Sequence, residues 1–208
     1  MVKLKAPMFS LDASGKLANA IVFSRWKGRH YARSLVTPSN PQSGPQTGMR
    51  AMLKFLSQEW DGLATADKST WLEAAAADSI STFNAYMSYD LKRWRDFNTP
   101  TQASPPALVS TTPDGATGVA TPDIRSITLA ITHGTNLADW GFAIFRSPTG
   151  TFNLSFSNCI AVVPCDGSGD AEYIDSPLAA DQYFYNYVGF NDDGVEGADG
   201  TECDGTVV

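Results

Sequence analysis

The 208-residue chain is poor in cysteine and histidine, with three of the first and two of the second, and its first 58 residues hold one acidic side chain, Asp12. Each scarcity excludes something. Cys159, Cys165 and Cys203 are odd in number and lack metal-ligand spacing, so free thiols are predicted; a Cys159–Cys165 bridge would need the chain to turn back at Pro164. His30 and His133 stand far apart, without triad or metal spacing. No paired carboxylates in a capped setting, no Ser, His and Asp set with recognisable flanks and no phosphate loop is present, so neither an enzymatic reaction nor a cofactor is implied. No run approaches the roughly 20 apolar residues of a membrane helix. Lys3 and Lys5 lead into Pro7 and Asp12 rather than an apolar core, so a secretory signal is not predicted and synthesis in a cytoplasm is the expectation.

What charge there is has been sorted along the chain. Residues 1–58 carry nine Lys and Arg against that single acid, a net +8, residues 59–98 carry −3 and residues 99–208 carry −12. Such asymmetry predicts a basic end that docks on an acidic partner and an acidic end that stays solvated; attraction between the two ends is the alternative.

The basic end is organised around residues 15–46. Residues 19–25 and 29–36 are short runs rich in branched and aromatic side chains, with a reversal at Trp26, Lys27 and Gly28 that predicts a β-hairpin. Arg25, Lys27, Arg29 and Arg33 are interleaved with Trp26 and Tyr31, a set suited to an acidic protein surface or to a phosphate backbone and stacked bases. These six are the candidate partner-binding residues, with protein contact preferred because the patch is small for nucleic acid. Residues 1–18 read as an extended arm ordered by a partner, and Pro38, Pro41 and Pro45 as a segment running over a surface.

Helical periodicity begins at Pro45. Met49, Met52, Leu53, Leu56 and Trp60 form one stripe ending at Gly62; Thr65 begins a second helix with Trp71, Leu72, Ala75 and Ala76; Ser79 or Ser81 caps a third with Phe83, Met87, Leu91 and Trp94. Trp60, Leu63, Lys68, Trp71 and Ala75 resemble the last two helices of an HMG box, which would imply bent DNA, but that stretch is net acidic. Residues 98–105 read as a linker. Beyond it, 125–134, 140–150, 159–163, 171–175 and 182–197 alternate as strands, predicting a sandwich. Asp166, Ser168, Asp170 and Glu172 supply about half a calcium shell, so a solvated turn is preferred and no metal site is assigned. The fold class is therefore α+β in two domains: arm 1–18, hairpin and three helices 19–97, linker 98–105, antiparallel sandwich 106–208.

Two resemblances sharpen this. Ile144 to Ser147 before a PTG turn, then YIDSPLAADQYFYNYVGFNDDGVEG, resemble a bacterial fibronectin type III domain over 106 to about 205. That implies Tyr183, Tyr185 and Tyr187 on the sixth strand and Asn191–Gly194 as the turn into the last, with Leu129 or Ile131 in place of the usual inward tryptophan. The GK turn, VFS strand, WKGR with Tyr and Arg, and the Pro, Asn, Pro, Gln series over about 6–75 resemble an obscure family of tailed-bacteriophage virion proteins. This implies a structural protein of the virion, made in the host bacterial cytoplasm: a head decoration or cement protein, or a head-tail or tail accessory. Its partners would be capsid or tail subunits, with a further copy of itself and a host surface glycan also considered and no membrane. Nucleic-acid binding through the basic end, and glycan binding by Trp140 and the tyrosines, are the other classes.

Overall fold

The computed structural model describes residues 2–4, 15–17, 20–36, 42–106 and 110–208. The chain divides into two compact units, Met1–Pro41 and Gln42–Val208.

The first unit is a four-stranded antiparallel sheet of β1 (Val2–Leu4), β2 (Gly15–Leu17), β3 (Ile21–Trp26) and β4 (Arg29–Ser34), in the order β1-β4-β3-β2. The predicted hairpin is β3–β4. Its reversal is tighter than the sequence suggested: Trp26 pairs with Arg29 inside the ladder, leaving Lys27 and Gly28 alone in the turn. Both have positive φ, 49° and 76°, the signature of the two-residue turn whose twist matches its strands. The predicted free arm needs correction. Val2–Leu4 pairs with β4 and Gly15–Leu17 with β3, because an isolated ribbon offers two unpaired edges and short flanking segments satisfy them. Residues 5–14, with Pro7 and Asp12, and residues 37–41, with Pro38 and Pro41, lie outside the described residues.

The second unit begins with α1 (Gly44–Gly62), which has Pro45 in its first turn, where a missing N–H costs nothing. The predicted second helix is two, α2 (Thr65–Thr70) and α3 (Leu72–Asp78), divided at Trp71, whose backbone stays in the right-handed helical region (φ −83°, ψ −3°) and whose indole Nε1 donates to Gln102 O at 2.9 Å. Ser79 terminates α3 in the left-handed region, with Ile80 N donating to Ala75 O, and Ser81 then caps α4 (Thr82–Arg95) by accepting from Asn84 N. Burial shifts two predicted stripes: Phe55 joins Met52 and Leu56 while Leu53 is half exposed, and on α4 the buried row is Ala85, Tyr86, Asp90 and Trp94.

Eight strands follow. β5 (Thr117–Asp123), β6 (Ser126–Thr132) and β9 (Ala171–Asp175) make a three-stranded sheet in that order. β11 (Glu196–Asp199), β10 (Gln182–Phe190), β7 (Gly141–Ser147) and β8 (Cys159–Pro164) make the second, and β12 (Cys203–Thr206) pairs with the other half of β10. Ile127, Leu129 and Ile131 of β6 meet Phe142, Ile144, Ala161, Tyr185 and Tyr187 between the sheets. The antiparallel sandwich is therefore present, with both residues at the missing-tryptophan position buried.

Its second sheet is buried on both faces, and this moves the expected domain boundary. Ala143, Phe145, Val162, Val188 and Phe190 point the other way, into one cluster with Met52, Phe55, Leu56, Trp94 and Trp140. Gly48 of α1 helps: a Cβ there would stand 3.2 Å from the Cys159 Cβ, so its lack of a side chain lets the helix approach β8. Residues 98–105 are accordingly no free linker. Thr99 and Thr101 are buried; Arg93 Nε donates to Thr99 O at 2.8 Å, Thr101 N to Asp90 Oδ1 at 2.9 Å and Gln102 N to Asp192 O at 2.8 Å. Helices and sandwich share one core, and the break between units falls at Pro41 and Gln42.

Candidate interaction surface

Alternation along β3 and β4 sorts the six basic and aromatic candidates. Successive side chains point to opposite faces, and the register sets Trp26 against Arg29, Ser24 against Tyr31 and Val22 against Arg33. Trp26, Arg29, Tyr31 and Arg33 therefore share one face. Arg25 lies on the other, opposite His30 and in line with Ile21, Phe23 and Ala32, and Lys27 sits in the turn. The structure thus brings together four of the six. At the sheet's edges the backbone register places Lys3 opposite Tyr31 and Lys16 opposite Val22.

Trp26 is 65% exposed, Arg29 and Arg33 are exposed and Tyr31 is half-buried. The Lys27 ammonium stands 4.8 Å from the centroid of the Trp26 ring, a cation–π contact that holds the indole at the hairpin tip. An aromatic plate flanked by guanidinium forks can do two things chemically: supply a desolvated anchor, and pair bidentately with carboxylates at its rim.

The sandwich carries acid instead. Asp139, Asp192 and Asp193 line an open hollow of about 330 Å³ with Thr111, Asn136 and the half-exposed Leu137. Burial, then the charges of Asp139 and Asp193, push the Asp192 carboxyl above its ordinary range. The Asp166–Glu172 loop serves itself: Asp166 Oδ1 accepts from Ser168 N at 2.8 Å and Asp170 N at 3.0 Å, which is a turn closed by its own side chain. Among the described residues no group of three or more His, Cys, Asp or Glu could hold a metal ion.

Two further readings change. Trp140 is buried, its indole donating to Glu59 Oε2 at 3.3 Å, and Tyr185 and Tyr187 are fully buried, so they cannot offer a stacking surface to a glycan. Trp71, at the centre of the HMG-like spacing, is buried against Tyr86 and Tyr89 as helical core. The three cysteines are free. Cys159 opens β8 and Cys165 follows its last residue, Pro164, so the two stand roughly 20 Å apart at strand rise, too far for a bridge. Burial pushes both thiols up to about 12, which leaves them poor nucleophiles.

Sequence reasoning missed the polar junction beneath α4. Asp90 is fully buried, and burial outweighs the Thr101 amide and the Arg93 charge to push its carboxyl up to about 8. The signal was the series Tyr86, Asp90, Trp94 at four-residue steps, which places an acid in the buried row.

No family model matches this chain, and no curated protein matches it. Among solved structures, a β-1,2-glucanase from Parabacteroides distasonis is similar at 16% identity and TM-score 0.40 over 50% of this chain, which spans 14% of the glucanase. A Fn3-like protein from Clostridium thermocellum is similar at 20% identity and TM-score 0.31, covering 49% of this chain and 92% of its own. The PKD domain of an M14-like peptidase from Thermoplasmatales archaeon SCGC AB-540-F20 follows at 8% identity and TM-score 0.31, covering 48% and 98%.

Proposed function

We propose that this chain is a structural protein of a tailed-bacteriophage virion, attached through the basic face of its N-terminal sheet and presenting an acidic immunoglobulin-like module of the fibronectin type III kind. The observation that carries the attachment is the exposed Trp26 at a turn tip, on one face with Arg29, Tyr31 and Arg33. Interfaces are built this way: an aromatic anchor at the centre and charged groups at the rim, with Arg and Trp over-represented. The virion assignment is supported by the WKGR hairpin and the Pro, Asn, Pro, Gln series leading into α1.

The module assignment is supported by strand order. Lettered in chain order, β5, β6 and β9 take the places of A, B and E, and β8, β7, β10 and β11 those of C′, C, F and G. Tyr183, Tyr185 and Tyr187 then lie on the sixth strand, and Gly194 N donates to Asn191 O in the turn that leads to the seventh. The role so described is binding and assembly, not catalysis, and among the described residues no helix is long and apolar enough to cross a membrane.

Quantitative mass spectrometry of purified particles tests the assignment: a fixed integral copy number per virion is expected, and absence from washed particles would refute it. Nucleic acid is the second reading, favoured by the alternation of Arg29, Tyr31 and Arg33 along one face. It requires the logarithm of affinity to fall linearly with the logarithm of salt; the expected outcome is weak binding lost at physiological salt.

A further inference from the structure

We propose that the basic face of β3 and β4 docks on the acidic sandwich surface of a second copy of this chain, so that copies associate head to tail. This rests on the reading of that face as an attachment surface and names its occupant. The charge partition follows the structural one: Met1–Pro41 carries seven Lys and Arg against one Asp, a net +6, while residues 42–208 carry eight against twenty-one, a net −13.

In the second unit the available cations are largely engaged at home. Arg93 donates to the Thr99 and Gly194 carbonyls, Arg146 to Asp175, and Lys68 to the Asp61 carbonyl. Arg95 pairs with Asp96 and Arg146 with Asp175. The sandwich therefore presents a surplus of carboxylates over cations, while the first unit carries a surplus of cations.

Two copies cannot satisfy this by pairing like surfaces. Basic face against basic face would bring two +6 units together, and like-charge juxtaposition across an interface is strongly unfavourable. The basic face of one copy must meet the acidic unit of the next. Such a contact either closes reciprocally, each copy's basic face on the other's acidic unit, or leaves one surface of each kind open so that addition continues into a larger ring or a row.

Sedimentation velocity on the full-length chain over a concentration series, at about 50 mM and about 500 mM salt, tests this, since the two conditions bracket strong and weak screening. At low salt the mass should climb with concentration to at least twice the 22.3 kDa monomer, and at high salt it should return to the monomer. Trp26→Ala should weaken association about thirtyfold, as loss of an interface anchor does. Arg29→Glu with Arg33→Glu should abolish it; Arg29→Gln with Arg33→Gln, checked for unchanged circular dichroism, should do the same in milder form. A monomer at every concentration, or association that survives both pairs of substitutions, would overturn the proposal. The attachment reading fails separately: it is lost if the doubly substituted chain still occupies particles at wild-type copy number, whatever its behaviour in solution.

Discussion

At the scale of single residues the account depends on two side chains in opposite situations. Trp26 is mostly exposed within its own unit, so Trp26→Ala should leave the fold in place, with a change in unfolding free energy within about 0.5 kcal/mol by chemical denaturation. A large loss would make it core. Asp90 is the reverse case. Its native carboxyl, raised from 3.8 to about 8, holds a proton that the unfolded chain has released, so the native state binds more protons between those values. The stabilisation is fully present below about pH 4 and is lost as pH rises through about 8. Glu59, Asp192 and Glu196 are raised as well, chiefly by burial, and add slopes of the same sign. Asp90→Asn separates them: it keeps the acceptor for Thr101 N and should flatten the decline between about pH 6 and 8, measured as denaturation midpoint against pH. A slope unchanged in the Asn variant would show that Asp90 is not the group responsible.

At the scale of elements, much was legible and the failures have causes. The hairpin, α1 and the strands β6 to β10 announced themselves through period-two and period-3.6 patterning with turn residues between them. β5 did not, because Thr117–Asp123 offers Gly118, Pro122 and half-exposed positions in place of an apolar row. The second helix divides at Trp71, the residue whose indole is tied to Gln102, a partner far off in sequence that no local pattern announces. The linker was misread because proline, serine and threonine signal an extended backbone in either case; whether it floats or is pinned depends on Asp90, Arg93 and Trp71, which lie elsewhere in sequence. The doubly buried sheet did leave a trace: WGFAIF at 140–145 is a continuous apolar run, the pattern of a strand covered on both faces. Of the candidate surface, composition was legible and the facing was not, since only the register decides that Arg25 leaves the group.

Those elements carry two predictions. Residues 106–208 without the helices would expose Ala143, Phe145, Val188 and Phe190, each worth up to about 3 kcal/mol in burial for the larger side chains. The fragment should aggregate, whereas 42–208 should unfold in one calorimetric transition; a soluble, cooperatively folding 106–208 would contradict the shared core. Across the sandwich, Arg146 Nη1 meets Asp175 Oδ2 at 2.7 Å, and Tyr185 donates to the same oxygen at 2.9 Å. Arg146→Ala would leave Asp175, itself buried, without its cation, and should cost about 3 kcal/mol in chemical denaturation. A change below about 1 kcal/mol would place the pair among ordinary surface bridges.

At the scale of the whole molecule, charge and fold divide the chain at the same place. A small sheet with a basic, aromatic face is joined to a larger acidic unit whose core is closed on itself. A closed core and a surplus of exposed carboxylate suit a unit that stays solvated; an exposed tryptophan among arginines suits one that does not. The central claim is that the sheet face is the attachment surface. Copy-counted mass spectrometry of particles assembled with Trp26→Ala, and with Arg29→Glu and Arg33→Glu together, tests it most directly. The account predicts wild-type copy number for the native chain and near-complete loss for both variants, each with unchanged circular dichroism in isolation. Folded variants retained at wild-type copy number would contradict it.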